Sequence, residues 1–376
     1  MDAATRGKAL GQLVISSFDH VDNPHYGGGG AVVVAELAAR LARSFDVTVV
    51  TAGSHRRPCG RAQGAADGVR WVFLPVGWAG PRGGQLLFHA MLPLVAMVAR
   101  YDVWLESFTP PFSTSFLPLV TRRPVVGLAQ MLAGRETSRR YHLPFWRVER
   151  LGLRLYRHVV TLNDADAETV AADHPGVSVT RMTNGVRLPP EPARYGEGSC
   201  VLYLGRIDVD VKGLDLLVQA HARSHHPLPL VIAGHGTRAD EARLRRLLAD
   251  HPAPPVQVVG TVVGAEKEQL LRDCAFLVLP SRSETFGLAA LEAMSYGKPV
   301  VAFDLPQTRW IPTDAGVRVP AFAVDRLAAA MDGLVDDPQA RARLGRAGRR
   351  AAAGYDWDAI ALRYEHLVRE VLHDGR

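Results

Sequence analysis

The sequence predicts an α/β protein made of two doubly wound parallel sheets. Short apolar runs alternate with amphipathic stretches along most of the chain, which is typical of parallel strands joined by crossover helices. A segment rich in proline and glycine, residues 187–199, interrupts this alternation once and predicts a linker. The length of 376 residues exceeds the usual size of one hydrophobic core, so two domains are expected.

In the first half, apolar runs predict strands at 12–18, 46–52, 69–75, 102–108, 124–129 and 158–163. A glycine-rich loop, HYGGGG at 25–30, follows the first strand and leads into an amphipathic helix over 31–45. Further helices are expected over 83–100, 145–157 and 164–173. Strands and helices that alternate in this way place crossovers on both faces of a parallel sheet.

The pattern restarts after the linker. Strands are predicted at 200–207, 229–236, 256–262, 275–281 and 299–304, with helices at 213–223, 237–249, 265–273, 287–296, 324–334, 338–353 and about 356–372. We place the first Rossmann-like domain at 1–190 and the second at 191–355, and expect the C-terminal helix, 356–376, to pack back on the first. Ligands of such sheets bind outside the carboxyl ends of the strands. Neither half carries a complete GxGxxG fingerprint, which disfavours a dehydrogenase.

Composition excludes several classes of function. The net charge is +6, but no zinc-finger spacing or RNA-binding signature accompanies the arginines, which disfavours nucleic acid as a partner. The cysteines, Cys59, Cys200 and Cys274, lie far apart, which argues against a disulfide scaffold or a zinc cluster and fits a reducing cytoplasm. No apolar signal core or membrane span is expected, so we predict a cytoplasmic protein.

Residues 283–302, SETFGLAALEAMSYGKPVVA, place two glutamates eight positions apart. The first, Glu284, lies in a loop after a strand, and Glu292 lies on one face of the helix that follows. The helix N-terminus is a ready anion site, and Gly287 lets a ligand approach the backbone closely. A phosphate there, with carboxylates accepting from hydroxyl groups, suits a sugar nucleotide. The alternative is structural, with Glu284 capping the helix and Glu292 solvated.

This stretch resembles the Glu-x7-Glu motif of retaining GT-B glycosyltransferases of the large family four, which includes sucrose synthases and bacterial mannosyl- and glucosyltransferases. Four more stretches resemble that family's motifs in the same order along the chain: YGGGGAVVVAELAARLA (26–42), TNGV (183–186), LYLGRIDVDVKGLDLLVQA (202–220) and VIAGHG (231–236). The resemblance implies a GT-B fold, two Rossmann-like domains facing across a cleft, with the donor bound mainly by the C-terminal domain and the acceptor mainly by the N-terminal one.

The resemblance also implies roles for individual residues. Arg206 and Lys212 bind the donor diphosphate, Glu284 contacts the donor sugar, and Glu292 holds the ribose hydroxyls; Arg206, Lys212 and Glu284 form the catalytic group. The remaining donor-binding candidates are Gly28, Gly29, Gly205, Gly234, His235, Gly236, Phe286, Gly287 and Leu288. Fixed cations and N–H groups aimed at the departing diphosphate stabilise the charge that develops there. The acceptor-side candidates are Glu106, Gln130 and Arg135.

Two features depart from simple expectations. Many relatives place a histidine where this chain has Gln130, and an amide cannot carry a proton in acid–base catalysis. Asp208-Val209-Asp210 resembles a DxD metal motif, but it lies where the family has a variable loop. Because Arg206 and Lys212 already supply positive charge, we expect no metal and no cofactor.

The sequence thus predicts a metal-independent retaining glycosyltransferase that moves a sugar from a nucleotide-sugar to a small-molecule, lipid or glycan acceptor, in glycan or secondary-metabolite biosynthesis. The alternatives are a sugar-nucleotide-binding regulatory partner without transferase activity and a GT-B epimerase or phosphorylase. The run 139–158 mixes arginines with Trp146 and leucines. It has two interpretations, a weak peripheral membrane contact or a helix with a solvated basic face.

Overall fold

The computed structural model describes residues 9–21, 23, 28–53, 60–63, 68–108, 114–130, 132, 134–190, 194–225, 227–251 and 255–374. The start of the glycine loop (25–27), Cys59 and part of the predicted linker (191–193) lie outside these residues. The chain divides into two compact units, unit 1 (Met1–Asn184 with Trp357–Arg376) and unit 2 (Gly185–Asp356).

The described part of unit 1 contains an eight-stranded sheet in the order β3-β4-β2-β1-β5-β6-β7-β8. Its strands are β1 Gln12–Ser17, β2 Asp46–Ala52, β3 Gly60–Gln63, β4 Arg70–Leu74, β5 Val103–Ser107, β6 Val125–Ala129, β7 His158–Thr161 and β8 Ser178–Arg181. All pairs are parallel except β3 with β4. The six predicted strands are confirmed. The sequence analysis missed β3 and β8, because these four-residue edge strands, GRAQ and SVTR, carry no apolar run.

The helices of unit 1 are α1 Gly29–Leu41, α2 Gly80–Val98, α3 Gly134–Tyr141, α4 Phe145–Leu153, α5 Asp164–Asp173 and the C-terminal α12 Trp357–Asp374. Helix α12 packs on α1, where Asp358 accepts a hydrogen bond from Arg40 at 2.9 Å and Glu365 accepts one from Ser44 at 2.9 Å. The expectation of one helix over 145–157 is too long at its C-terminal end, and the run 139–158 is split. His142 has a positive φ of 54° and Pro144 precedes α4, so the backbone breaks between α3 and α4.

The described part of unit 2 contains a six-stranded parallel sheet in the order β11-β10-β9-β12-β13-β14. Its strands are β9 Cys200–Leu204, β10 Leu230–Ala233, β11 Val256–Gly260, β12 Cys274–Leu279, β13 Val300–Phe303 and β14 Gly316–Val319. The helices are α6 Leu214–Arg223, α7 Arg238–Asp250, α8 Gly264–Asp273, α9 Leu288–Ser295, α10 Val324–Asp336 and α11 Pro338–Ala353. Both units are therefore doubly wound parallel α/β units, as predicted; β14 is the strand that was not expected.

Three basic side chains of unit 2 bind backbone carbonyl groups in the described part of the segment 187–199. The Lys298 ammonium donates to the carbonyl oxygens of Arg194 and Glu197, and burial lowers its pKa. Arg341 donates to the Gly196 carbonyl at 2.8 Å, and Arg349 to the Pro189 carbonyl at 3.0 Å. The described residues of the segment predicted as a linker are thus anchored to unit 2 by backbone hydrogen bonds, while several of their side chains, Arg187, Leu188, Arg194 and Glu197, are exposed.

None of the described helices combines the length and the apolarity that crossing a bilayer requires. Cys200 and Cys274 are buried free cysteines on the paired strands β9 and β12.

Candidate functional site

The candidate site lies at the carboxyl edge of the unit 2 sheet. Strand β9 pairs with β10 on one side and β12 on the other, so the strand order reverses there. In open α/β sheets the crevice at such a reversal is the usual ligand site, because the loops after the two strands diverge. The loops that leave β9 and β12 carry Arg206, Lys212 and Glu284, the three predicted catalytic residues.

The loop after β9 holds Arg206 by its backbone and leaves its side chain exposed. The Tyr203 hydroxyl donates to the Arg206 carbonyl at 2.7 Å, and Gly205 N donates to the Ala233 carbonyl at 3.0 Å. The Arg206 side chain is 60% exposed and lies 3.5 Å from the Asp208 carboxylate. A fixed backbone with an exposed guanidinium suits an arginine that meets an anionic ligand.

Lys212 and Glu284 form an ion pair across the two loops. The Lys212 ammonium donates to Glu284 Oε1 at 2.6 Å, and Ser281 Oγ donates to the same oxygen at 2.7 Å. The structure therefore brings two predicted catalytic residues into direct contact. Glu284 is occupied by this pair rather than by capping α9. Ser281 was not predicted, since nothing in the sequence distinguishes it from other loop serines.

The N-terminus of α9 follows Glu284 directly. Gly287 occupies the N-cap position with φ of 82°, a left-handed conformation that favours glycine. Its lack of a side chain leaves α9 without a side-chain cap among the described residues. The Phe286 ring stacks on Trp310 at 4.5 Å between centroids, and the Trp310 indole donates to the Phe286 carbonyl at 2.6 Å. Trp310, which was not predicted, thus fixes the turn that leads to Leu288.

Glu292 is paired in the same manner as Glu284. The Lys267 ammonium donates to Glu292 Oε1 at 2.9 Å, between helices α8 and α9. Both side chains keep part of their surface exposed, so the pair is accessible to a ligand. Each glutamate of the motif therefore meets one of the four lysines of the chain. The scarcity of lysine was the signal that could have identified Lys267.

Gly234 and Gly236 allow the loops after β9 and β10 to meet. A Cβ atom at Gly234 would lie 1.8 Å from the Gly205 carbonyl oxygen, and one at Gly236 would lie 2.1 Å from the Ile207 carbonyl oxygen. Between them, the exposed His235 ring has its Nδ1 2.9 Å from Thr261 Oγ1. Close backbone contact thus explains Gly234 and Gly236 structurally, and the contact of these glycines and of Gly205 with a donor stays a prediction.

The candidates in unit 1 do not form a comparable cluster. Gly28 and Gly29 are exposed at the start of α1, after the carboxyl end of β1. Glu106 is only 1% exposed, and its carboxylate accepts from the Tyr156 hydroxyl at 2.6 Å and from Ser115 N at 3.0 Å. This burial raises the pKa of Glu106 to about 7 and argues against direct contact with an acceptor. Gln130 is half-buried and Arg135 is exposed, and their acceptor roles stay predictions.

The Asp208-Val209-Asp210 segment is used in other contacts. Asp208 Oδ1 accepts from Val211 N at 3.0 Å, and Asp210 pairs with Arg243 at 2.7 Å. Within the described ranges, no cluster of three or more histidine, cysteine, aspartate or glutamate side chains could hold a metal ion.

Comparisons with known proteins identify related families for both units. Residues 198–337 match the family model described as glycosyl transferases group 1, and residues 27–188 match the one described as glycosyltransferase family 4. The phosphatidyl-myo-inositol mannosyltransferase of Mycobacterium tuberculosis is 33% identical over 210 residues, which are 53% of this chain and 54% of the relative. The chain thus spans about half the length of the curated relatives that it matches.

Two solved structures share the fold over nearly the whole chain. Sucrose-phosphate synthase from Thermosynechococcus elongatus superimposes with a TM-score of 0.80 at 20% identity, covering 96% of this chain and 100% of that one. The Anabaena protein HepE, in complex with UDP-glucose, gives 0.74 at 16% identity, with coverage of 96% and 100%. With family models matching both units and this fold throughout, the chain belongs to the group 1, family 4 glycosyltransferases and has their GT-B fold.

Proposed function

We propose that this protein is a retaining glycosyltransferase that transfers a sugar from a nucleoside diphosphate sugar to an acceptor hydroxyl. The observation that carries the proposal is the convergence of Arg206, the Lys212–Glu284 pair and the uncapped N-terminus of α9 on the loops after β9 and β12. Cations and N–H groups beside a carboxylate are the groups that a diphosphate and a sugar require together.

Each group has a distinct role in the proposed site. Arg206 forms a forked contact with the diphosphate, and the first N–H groups of α9 point at it. Lys212 is already neutralised by Glu284, so it acts mainly by holding that carboxylate in place while contributing a hydrogen bond to phosphate. Both described donors to Glu284 converge on Oε1. We assign Oε2 to a hydroxyl of the donor sugar.

The proposed reaction takes place on one face of the sugar. The bond between the anomeric carbon and the diphosphate oxygen breaks, and its electron pair stays with the diphosphate. The acceptor oxygen bonds to the anomeric carbon from the same face, and its proton passes to the departing phosphate. Arg206 and the α9 N-terminus stabilise the leaving charge, which is where fixed dipoles contribute most.

A thermal-shift screen tests donor binding directly. The purified protein is heated with UDP, GDP, ADP, TDP and their common sugar conjugates, with and without EDTA. UDP-glucose comes first, because the Anabaena structure contains it. A ligand that binds only the folded state raises the melting temperature by mass action. We expect one nucleotide to give a clear shift, and absence of a shift with every nucleotide would contradict the proposal.

Variants of Arg206 and Lys212 then test whether these residues also support catalysis. Arg206→Ala and Lys212→Ala should each lower donor-dependent turnover about ten- to a hundredfold, because each removes a charged hydrogen bond to the leaving group. Arg246→Ala, at an exposed arginine of α7, is the matched control and should turn over like wild type. Wild-type rates in the first two variants would remove both residues from the site, and an inverted anomeric centre in the product NMR spectrum would contradict retention.

Gln130 supports one competing function, a sugar-nucleotide-binding partner without transferase activity. An amide at a position where many relatives have histidine accepts hydrogen bonds but cannot shuttle a proton. A measurement of donor-dependent turnover distinguishes the two functions. A nucleotide that shifts the melting temperature while its sugar conjugate is neither transferred nor hydrolysed would favour the binding partner.

A further inference from the structure

A second ion pair joins the chain after β9 to the loop after β12, beside the Lys212–Glu284 pair. The Arg282 guanidinium donates to both carboxylate oxygens of Asp215, from Nη1 to Oδ1 and from Nη2 to Oδ2, each at 2.7 Å. Arg282 lies in the loop after β12, and Asp215 lies in the first turn of α6, which follows the loop after β9. Two parallel hydrogen bonds fix the orientation of a guanidinium as well as its distance, so this pair restrains both segments.

The backbone of the loop after β12 is bound at the same place. Arg282 N and Ser283 N both donate to the Val211 carbonyl, at 2.9 and 3.3 Å. Arg282 Nη1 also donates to the Asp210 carbonyl at 3.0 Å. Both accepting residues directly precede Lys212, and Ser283 directly precedes the glutamate of the catalytic pair. We call these contacts, together with the ion pair to α6, the Arg282 clamp.

The segment that receives the clamp is itself held in a tight turn. Asp208 Oδ1 accepts from Val211 N at 3.0 Å, and the Asp208 carbonyl accepts from Lys212 N at 2.9 Å. The Asp208 carboxylate also lies 3.5 Å from the Arg206 guanidinium. The clamp therefore connects the loop that carries Glu284 with a turn that runs from Arg206 to Lys212, the two cations of the proposed site.

We propose that Arg282 is a positioning residue for catalysis, which fixes Glu284 relative to Lys212 and acts through them rather than on the donor. The inference rests on the proposed transfer function, because the position of this pair affects a rate only where the pair meets a substrate. The Lys212–Glu284 and Asp215–Arg282 contacts join residues 72 and 67 apart in sequence, and two such contacts leave the loops less freedom than one. A catalytic group displaced by about 1 Å can lose on the order of a hundredfold in rate, even when the change lies away from the chemistry.

Variants of the clamp should affect turnover more than stability. The Arg282 and Asp215 side chains are 33% and 18% exposed, and ion pairs with access to solvent contribute little to stability, so Arg282→Ala and Asp215→Ala should melt close to wild type. Their kcat should fall about ten- to a hundredfold. The KM for the donor should change less than about threefold, because Arg206 and the N-terminus of α9 still bind the diphosphate.

The kinetic measurement is the release of nucleoside diphosphate from UDP-glucose, or from the nucleotide sugar that the thermal-shift screen identifies. The double variant, Arg282→Ala with Asp215→Ala, should be no slower than either single variant, because the loss of one partner already opens the clamp. Arg282→Lys should recover only part of the lost rate, because lysine keeps the charge but cannot form the fork.

Arg243→Ala is the matched control. Arg243 Nη1 donates to Asp210 Oδ2 at 2.7 Å, so this variant breaks an arginine–carboxylate contact of the same length on the same turn. Arg243 belongs to α7, and its contact with Asp210 does not involve the loop after β12. Arg243→Ala should therefore have the kcat of wild type.

Hydrogen–deuterium exchange measures the clamp without any turnover. The amides of Arg282 and Ser283 are bonded to the Val211 carbonyl, and an opened clamp should expose them more often. A peptide covering residues 281–287 should thus exchange at least about threefold faster in Arg282→Ala and Asp215→Ala than in wild type, and no faster in Arg243→Ala.

Turnover and exchange together separate this proposal from the proposed function. If wild type turns over a donor and Arg282→Ala has the same kcat, the positioning role is overturned and the transfer function stands. If wild type shows no turnover, the transfer function is contradicted; unchanged exchange over 281–287 in Arg282→Ala would then overturn the clamp as well, and faster exchange would support it. A rate lost equally in Arg243→Ala, or lost only in step with the melting temperature, would assign the effect to charge or folding and overturn the proposal.

Discussion

The two sheets have the same strand order around their first strand, yet their carboxyl edges differ in chemistry. In unit 1 the order reverses at β1, next to β5, and the acidic residue there, Glu106, is sealed in the interior with Tyr156 and Ser115. In unit 2 it reverses at β9, next to β12, and Arg206, Lys212 and Glu284 lie on loops with part of their surface exposed.

This difference separates two contributions to a site. The sheet topology sets where a crevice forms, and the side chains set its chemistry. A doubly wound sheet opens a crevice where its strand order reverses, whatever the sequence. Whether charged groups reach that crevice depends on their position. Glu106 lies within β5 and points into the core. Arg206 instead follows the end of β9 with 60% of its side chain exposed, and Glu284 follows the end of β12 with 8% of its side chain exposed. The described residues of unit 2 therefore offer a charged site, and those of unit 1 a buried polar network.

The largest expected effect is on the free energy of unfolding. It concerns the contact between the loops after β9 and β12, at the carboxyl edge of the unit 2 sheet. Gly213 has φ of 62°, and a Cβ there would lie 2.0 Å from the Pro280 carbonyl oxygen, where the loops after β9 and β12 touch. Gly213→Ala should lower the free energy of unfolding by about 2–5 kcal/mol, through left-handed strain and displacement of Pro280. The measurement is chemical denaturation.

Gly264→Ala is the matched control. Gly264 has a similar φ of 54° but open space around its Cβ direction. It should cost only about 1 kcal/mol, the strain alone. Equal losses in the two variants would mean that the contact with Pro280 does not constrain the loops.

The second prediction tests whether the carboxyl group at the unit 1 edge is truly sealed. Burial raises the folded-state pKa of Glu106 to about 7 from an ordinary value of 4.5. Between these values the folded protein binds more protons at Glu106 than the unfolded chain, so this group lowers the free energy of unfolding as pH rises from about 4.5 to about 7. Above about 7 its contribution is constant.

Glu106→Gln removes the titration while keeping side-chain hydrogen-bonding groups near Ser115 and Tyr156. The free energy of unfolding of the variant, relative to wild type, should therefore increase by up to about 3 kcal/mol between pH 4.5 and pH 8. Glu370→Gln, at an exposed glutamate of α12, serves as the control and should follow wild type. Parallel pH curves for Glu106→Gln and wild type would show that solvent reaches this carboxyl group.

Much of this comparison was predictable from sequence, and the failures have physical causes. The predicted strands of both units are confirmed because buried parallel strands are continuous apolar runs. The edge strands β3, β8 and β14 were not predicted because their sequences, GRAQ, SVTR and GVRV, contain no continuous apolar run. The break between α3 and α4 does have a signal in the sequence, because Pro144 disfavours a helix that continues through the run 139–158.

The side-chain contacts in the site were harder to predict from the sequence than the strands. The resemblance placed Lys212 and Glu284 near a donor, but their 2.6 Å contact joins residues 72 apart in sequence. Likewise, no local pattern connects Trp310 with Phe286. The burial of Glu106 did have a signal, since DVWLESF surrounds it with residues of a strand buried on both faces. A carboxylate in such a strand is expected to be an interior group.

The smallest expected effect distinguishes a ligand-binding ion pair from a structural one. Because the Lys267–Glu292 pair is partly exposed, it should contribute only about 0–1 kcal/mol to stability, so Glu292→Ala and Lys267→Ala should change the melting temperature equally little. If Glu292 accepts from ribose hydroxyls, only Glu292→Ala loses a charged hydrogen bond to the donor, and donor affinity should fall about tenfold or more. Titration calorimetry with the nucleotide found in the thermal-shift screen measures this. Equal weakening in both variants would mean that the pair acts through its geometry, and unchanged affinity in both would mean that the carboxylate does not hold the ribose.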